Sequence, residues 1–234
     1  MEWPTVRVLI VTYNRPKEIR QTLRALRERI IYDGQLSLHI ADDGSPRNYL
    51  NDLQRDITWT RFTRSVTRRK GWGANVNKGL KACGDSFVFL CEDDYVARRD
   101  LDFNSGVALL LADKLNIGLV RYDGLAGHVL DLHLREGKTQ AGTLAYAIID
   151  PCSPHLGVYS NRPHLMHPRF HRHYGLYPEG RALGQTEADY AHRVKDRGQM
   201  PNAPTLAILP EGILLAFDHI GRSWKGTNED VHKR

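Results

Sequence analysis

The 234-residue chain holds only three cysteines, no long apolar run, and no glycine-rich turn after its first apolar segment. Cys83, Cys91 and Cys152 are odd in number and widely spaced. That argues against a disulfide framework and for buried free thiols in a reducing, cytoplasmic setting. No apolar stretch approaches the roughly 20 residues of a membrane-spanning helix. The opening MEWPTVRVLIVTYNRP enters a strand at once and shows no small-residue cleavage site, so no signal peptide is expected. The first strand runs into TYNRP, which excludes the glycine fingerprint of dinucleotide-binding oxidoreductases. His155, His164, His167, His171 and His173 crowd one region. The last three have workable zinc spacing, but no cysteine pair completes a four-ligand set. Repeats, low-complexity tracts and long linkers are also lacking, so a single domain over 1–234 is expected.

What is present is basic overall. The net charge is +6 and 41% of residues are hydrophobic, ordinary for a folded soluble chain. The pI of about 9.3 permits an anionic partner such as a nucleotide or nucleic acid.

The most informative stretch is SFVFLCEDDYV, 86–96. An apolar strand stops at three successive carboxylates, Glu92, Asp93 and Asp94. Adjacent like charges resist desolvation and raise one another's pKa, so they belong at a strand end, in a cleft, beside a cation or donors. Hard divalent ions take such oxygen ligands and bridge to phosphates.

The pattern around it alternates. VRVLIVT (6–12) reads as a strand buried on both faces. Pro16 suits the first position of a helix to Ile31, whose apolar stripe is Ile19, Leu23, Leu26 and Ile30. LSLHIA (36–41) is a second strand, ending in Asp42 and Asp43. A basic, aromatic-bearing connector runs from Arg55 to Trp72. A short helix (about 74–83), the acid-tipped strand, a helix (about 101–115) and the strand IGLVR (117–121) follow. This order predicts an α/β fold with a mostly parallel sheet flanked by helices. Such sheets bind ligands at the carboxyl ends of their strands. If the two acid-tipped strands are parallel neighbours, their carboxylates share one crevice.

The second half is less regular. DLHLRE (131–136) and TLAYAII (143–149) read as strands that could pair antiparallel. Residues 151–184 read as loops with one short helix, then come a helix over 185–197 and the strand LAILP (206–210). The tail from Arg222 is polar and expected to be partly disordered.

These segments, taken in order, resemble the family-2 glycosyltransferases of the GT-A fold. The opening VRVLIVTYNRPKEIRQTLRAL, then HIADDGSP, GWGANVNKGLKACGDSFVFLCEDDYV, HYGLYPEG and TEADYAHRVKDRG are similar to that family's blocks. The resemblance implies a nucleotide-sugar-binding half (about 1–122), an acceptor-side half (about 123–221) and a tail (222–234). It implies that Thr12, Tyr13 and Asn14 line the nucleotide pocket and that Asp42 or Asp43 reads the base, which hints at uridine. Arg69 or Lys70, and Asn77, would approach ribose or phosphate, and Asp93 would lie at the same site. Glu92 and Asp94 stand at the outer positions of the D-x-D motif, with Glu92 a departure from Asp; Glu92, Asp94 and His219 are the candidate ligands of Mn²⁺ or Mg²⁺, with Asp94 the better candidate for direct contact. Glu187 aligns with the catalytic base, with Asp189 as the second candidate. Thr186-x-x-Asp189 also reads as a capping box. The implied reaction moves a sugar from a nucleotide diphosphate, with UDP the expected nucleotide, to an acceptor hydroxyl on a glycan or other small acceptor, with inversion.

A nucleic-acid reading stands beside it. RDITWTRFTRSVTRRKGW interleaves Arg55, Arg61, Arg64, Arg68, Arg69 and Lys70 with Trp59, Phe62 and Trp72, and HPRFHRHYG adds a second basic stretch. Such residues suit a DNA-modifying glycosyltransferase that acts on hydroxylated bases, or a non-catalytic nucleic-acid-binding protein.

Overall fold

The computed structural model describes residues 2–122, 134–149, 159–210 and 216–221. The strand expected over 131–136 lies partly outside these residues; Cys152, His155 and the tail lie wholly outside.

The chain opens with β1 (Val6–Thr12) and α1 (Pro16–Arg29). Pro16 occupies the first turn of α1, and Ile19, Leu23 and Leu26 are its buried stripe. α1 stops short of Ile31, because Ile30–Ile31 form a short strand, β2. β3 (Leu36–Asp42) and α2 (Arg47–Asp56) follow. The segment expected as a connector contains β4 (Arg61–Val66), which pairs parallel with β3. Its exposed arginines hid the strand pattern, and charge on an edge strand is what keeps such an edge from pairing with other chains. α3 (Trp72–Cys83) leads into β5 (Phe87–Glu92), then β6 (Tyr95–Ala97) and β7 (Leu101–Asp102), the last pairing with β2. The helix expected over 101–115 is shorter, α4 (Phe103–Leu111). Asp102 caps it by accepting from Ser105 N–H, and a 3₁₀ turn over Asp113–Leu115 follows.

β8 (Ile117–Arg121), β9 (Leu134–Thr139) and β10 (Gly142–Ile149) come next, and the last two form the antiparallel pair expected. β11 (His164–Met166) is a strand inside the stretch read as loops. At three residues it is too short to show a period. α5 (Pro168–Tyr174), α6 (Leu183–Gly198), β12 (Thr205–Ile208) and β13 (Phe217–His219) complete the chain.

Among the described residues nine strands form one sheet in the order β4-β3-β1-β5-β11-β8-β12-β10-β9. β3, β1 and β5 are parallel, whereas β11 runs antiparallel between β5 and β8. The two acid-tipped strands are therefore not direct neighbours. β1 separates them, and its register sets Thr12 beside Asp42 and Val11 beside Glu92. Apolar clusters line both sheet faces, one around Ile10, Phe89 and Phe103 and the other around Leu9, Leu90 and Tyr190. Cys83 and Cys91 are buried. Among the described residues no helix is long and apolar enough to cross a membrane.

Candidate active site

The carboxyl ends of β1, β3 and β5 open on a cavity of about 680 Å³ lined by Thr12, Tyr13, Asn14, Asp43, Arg69 and Trp72, with Glu92 and Asp93 at its floor. Parallel register delivers the acids to one rim, as the strand pattern predicts.

The adjacent aspartates of β3 do different work. Asp42 is buried and closes its own turn: it accepts from Gly44 N–H (3.1 Å), Ser45 N–H (2.9 Å) and the Ser45 hydroxyl. Asp43 faces the cavity. It accepts from the Thr67 hydroxyl (2.6 Å), Lys70 N–H (2.8 Å) and Gly71 N–H (3.0 Å). A carboxylate has about four acceptor positions, so Asp43 keeps one for a ligand. Lys70 contributes its main chain there, and its side chain is exposed. The Arg69 guanidinium lies over the Tyr13 ring, 5.5 Å from its centre. Asn14 is exposed at the rim, and its N–H donates to the Ser45 hydroxyl (2.8 Å). Asn77 is absent from the cavity wall. Its amide donates to Tyr177 O (2.9 Å) and Glu179 Oε1 (2.8 Å) and its oxygen accepts from Tyr177 N–H (2.9 Å), so it fastens α3 to the segment after α5.

At the tip of β5 the three acids also diverge. Asp93 is buried and accepts from the Thr12 hydroxyl (2.7 Å), Tyr13 N–H (3.4 Å) and Arg15 (3.2 Å). Desolvation pushes its pKa up to about 6, against the pull of Thr12 and Arg15. Asp94 is 2% exposed; its Oδ2 meets Arg15 and, at 3.1 Å, His219 Nε2. Desolvation, then Asp94, Asp93 and Glu187, push Glu92 up to about 8, and Arg15 opposes them. Arg15, one residue past the set singled out in the sequence, is thus the internal counter-charge of the cluster.

Two groups at this end of the site, Asp94 and His219, are of the kind a divalent ion takes. Asp94 Oδ1 is buried with no hydrogen-bond partner. A methyl at Gly221 would come within 2.1 Å of Asp94 Oδ2, so a glycine is what lets the chain pass this close to that carboxylate. The imidazole of His219 stacks on Tyr95 at 4.9 Å, which aims its Nε2. Among the described residues no three His, Cys, Asp or Glu side chains converge as a protein-only metal site. One or two protein ligands completed by phosphate oxygens and water is the usual magnesium arrangement.

Glu187 arrives from α6. Its Oε1 accepts from Asn161 N–H (2.8 Å), and its charge raises Glu92, Tyr159 and Tyr177. The β5–β11 register, Leu90 opposite His164, brings the residues just before β11 to the rim where Glu92 stands. Asp189 is not in that group. Two helical residues are about 200° apart, and Asp189 lies with Gln185 (2.5 Å) and Arg181 (3.7 Å). The capping box does not form either: α6 starts at Leu183, which leaves Thr186 buried inside it.

The zinc-spaced histidines face different partners. His167 Nδ1 accepts from Arg169 N–H, His171 Nδ1 sits 3.4 Å from Gly175 O, and His173 Nε2 is 3.2 Å from Arg197 O. Sequence reasoning did not single out Tyr159, Asn161 or Tyr177, all three of them buried. Trp72 packs edge-on against Tyr177 at 5.0 Å, and the hydroxyls of Tyr177 and Tyr159 are hydrogen-bonded.

Comparison with known proteins agrees with this geometry. S. aureus TarS 1–349 in complex with UDP-GlcNAc superposes with a TM-score of 0.61 at 14% identity, over 95% of this chain and 61% of that one. The mannosyltransferase PcManGT from Pyrobaculum calidifontis, in complex with GDP-Man and Mn²⁺, gives 0.59 at 13% identity, over 100% and 60%. GalNAc-T7 with UDP, GalNAc and Mn²⁺ gives 0.62 at 14% identity, over 89% and 43%. At these identities the likeness is one of fold, the GT-A type. The cellulose synthase catalytic subunit (UDP-forming) of Xanthomonas axonopodis pv. citri is 29% identical over 98 residues, which is 42% of this chain and 13% of that protein. The chain thus spans a small part of its curated relative and less than two thirds of these structures. The family model described as Glycosyl transferase family 2 matches residues 7–159, well over half of the chain. With its acid-tipped parallel strands on one cavity, the chain belongs to the family-2 glycosyltransferases.

Proposed function

We propose that this domain transfers a sugar from a nucleoside diphosphate, UDP in the first instance, to an acceptor hydroxyl, with Glu187 as general base and inversion at the anomeric carbon. The observation that supports the reading is that Glu187, held by Asn161 N–H, acts electrostatically on Glu92, which lines the cavity. Glu187 Oε1 is held by Asn161 N–H, which leaves Oε2 to take the acceptor's proton. A positioned base of this kind is worth roughly 10²–10⁴-fold. The spare acceptor position of Asp43 suits a uracil ring N–H, and Tyr13 offers a face for the base. Asp42 is engaged by its own turn, so base reading falls to Asp43.

Asp94 and His219 would hold a Mn²⁺ or Mg²⁺, which stabilises charge on the departing diphosphate as a Lewis acid. Glu92 and Asp93 support them: Asp93 fixes Thr12, Tyr13 and Arg15, and Glu92 feels the charges of both Asp94 and Glu187.

The test is diphosphate release from a panel of nucleotide sugars with Mn²⁺ and glycan, lipid-linked or modified-DNA acceptors. Glu187→Gln is expected to keep nucleotide affinity within about twofold and to lose roughly 10²–10⁴-fold in kcat. Asp189→Asn should stay near wild type. Normal turnover by Glu187→Gln removes it from the role.

A second reading concerns the acceptor. A cleft of about 700 Å³ beside the donor cavity is lined by Arg47, Arg64, Arg68 and Arg69. Among the described residues none of the four pairs with a carboxylate; Arg64 donates to Asn51 (3.0 Å) and Arg69 covers Tyr13. This supports an anionic acceptor such as DNA with hydroxylated bases. Steeply salt-dependent duplex binding, lost in Arg64→Ala/Arg68→Ala, would favour it. Membership of an enzyme family weighs against the purely non-catalytic nucleic-acid reading.

A further inference from the structure

The stretch RDITWTRFTRSVTRRKGW interleaves arginines with aromatics, but the fold separates the two sets. Trp59 lies in a groove with α1, Phe62 packs against the core, and Trp72 lines the donor cavity. Arg64, Arg68 and Arg69 instead meet Arg47 of α2 at the cleft of about 700 Å³ beside that cavity. Among the described residues no aromatic side chain lines this cleft. Arg15, Arg20, Arg29, Arg55 and Arg98 each pair with a carboxylate. Among the described residues the four cleft arginines pair with none, and the one carboxylate of the lining, Asp42, is taken up by Gly44 and Ser45.

The loop that carries two of these arginines is pinned. Arg68 and Arg69 both adopt left-handed backbone (φ 61° and 58°), which residues with a Cβ rarely do. Asp43 holds the loop through the Thr67 hydroxyl and the N–H groups of Lys70 and Gly71, and its carbonyl accepts from Arg69 N–H (2.7 Å). A methyl at Gly44 would stand 3.0 Å from Arg68 Cα, so the loop lies close on the turn after β3. Backbone held in such sparse conformations gathers at binding sites. α2 starts at Arg47 with no side-chain cap and adds the positive end of its dipole.

Unpaired guanidinium groups on a fixed backbone suit phosphate oxygens. Four of them in one cleft call for several anionic groups in a row. Bases would need a stacking face, which the lining does not offer. Neighbouring strands lie about 4.8 Å apart, so the four steps from β4 to β11 put roughly 20 Å between this cleft and the rim where Asn161 holds Glu187. A small acceptor cannot touch both places. A nucleic-acid strand, at about 3.4 Å per nucleotide in a duplex, spans them with roughly six units.

We propose that the Arg47–Arg64–Arg68–Arg69 cleft is an anchoring site for the sugar–phosphate backbone of a nucleic-acid acceptor, set apart from the reacting hydroxyl; this assignment rests on the reading of the acceptor as anionic. The cleft grips phosphates and reads no base.

The test measures binding of a fluorescent dinucleotide, a twelve-nucleotide single strand and an abasic strand of the same length, without nucleotide sugar, across a salt series. The proteins are the wild type, Arg47→Ala/Arg64→Ala and Arg68→Asn, the last keeping a residue that tolerates left-handed backbone. Thermal unfolding checks that each is folded, and UDP affinity should match wild type in all. The long strands should bind and the dinucleotide should not. For four phosphate contacts on a single strand the slope of log K against log salt should be about −3, and about half that in the double variant. Affinity should fall at least about tenfold in the double variant, the size of a lost charge-assisted hydrogen bond. The abasic strand should bind within about threefold of the normal one, because phosphate contacts carry no sequence information. Wild-type affinity in the folded variants, or binding that requires the bases, overturns the proposal. So does tighter binding of a sulfated polysaccharide than of the abasic strand, which would name a different polymer. If the strands bind as expected while no nucleotide sugar binds, the donor reading and the acceptor role fail and the phosphate site itself stands.

Discussion

At the residue scale the site is built from neighbours that do unlike things. Asp42 and Asp43 are adjacent in sequence, yet one closes a turn and the other faces the cavity. Asn77 shows the same divergence from expectation. A polar residue at the family's nucleotide-proximal position is here a clasp between α3 and Tyr177. Asn77→Ala would leave the Tyr177 main-chain N–H and C=O buried without these partners. It is therefore expected to cost about 2–4 kcal/mol in urea unfolding, with little direct effect on nucleotide affinity. A loss of affinity at unchanged stability would return Asn77 to the pocket. Such roles are hard to read from sequence, because a clasp is defined by a partner a hundred positions away. The acids of 92–94 are legible for the opposite reason: three carboxylates after five apolar residues are anomalous in themselves. Arg15 sits one position beyond the TYN run, and only the fold shows that its charge lands on Asp93 and Asp94. Asn161 carries no local signal at all.

At the element scale β3 and β4 are tied by an imidazole. His39 is 2% exposed, with Nδ1 2.8 Å from the Thr63 hydroxyl and Nε2 3.1 Å from the Ser65 hydroxyl. Desolvation, helped by the charge of Arg7, lowers its pKa to about 4. An unfolded chain takes up that proton near the ordinary histidine value of about 6.5. Between the two values the unfolded state binds more protons, so stability falls as pH drops through that window. His164, lowered to about 3 by burial, and His171, lowered to about 4, act in the same direction. Urea unfolding at stepped pH should show this slope. His39→Gln, which can still bond to both hydroxyls, should make it shallower, and an unchanged slope would discharge His39. β4 itself and β11 are where element-level reading failed. β4 is an edge strand clothed in arginine, and β11 is only three residues long, so neither presents an alternating pattern. The strands β1, β3 and β5 and the helix faces of α1 and α3 were legible, because burial on both faces or on one stripe leaves a dense apolar trace.

At the scale of the whole molecule the sheet joins the two halves that the sequence suggests. β11, β8, β12 and β10 extend the sheet that β1, β3 and β5 begin. Each apolar cluster draws on both halves: Val6 and Ile10 share one with Tyr146 and Phe217, and Leu9 shares the other with Ile208 and Tyr190. A fragment of residues 1–122 would expose those apolar faces and leave β5 without β11. It is expected to lack the cooperative urea transition of the full chain, measured by tryptophan fluorescence and circular dichroism together. A sharp, coincident transition in the fragment would show that the first half folds alone.

The antiparallel course of β11 has a further consequence. In an all-parallel sheet the residues preceding a strand emerge at the far end from the strand tips. A single reversed strand instead delivers its upstream loop to the same edge as the tips of β1 and β5. Asn161, and through it Glu187, reach the edge at the tips of β1 and β5 because of that one reversal. A sheet whose parallel part brings its own carboxylates to that edge thus gains a further one from the other half of the chain.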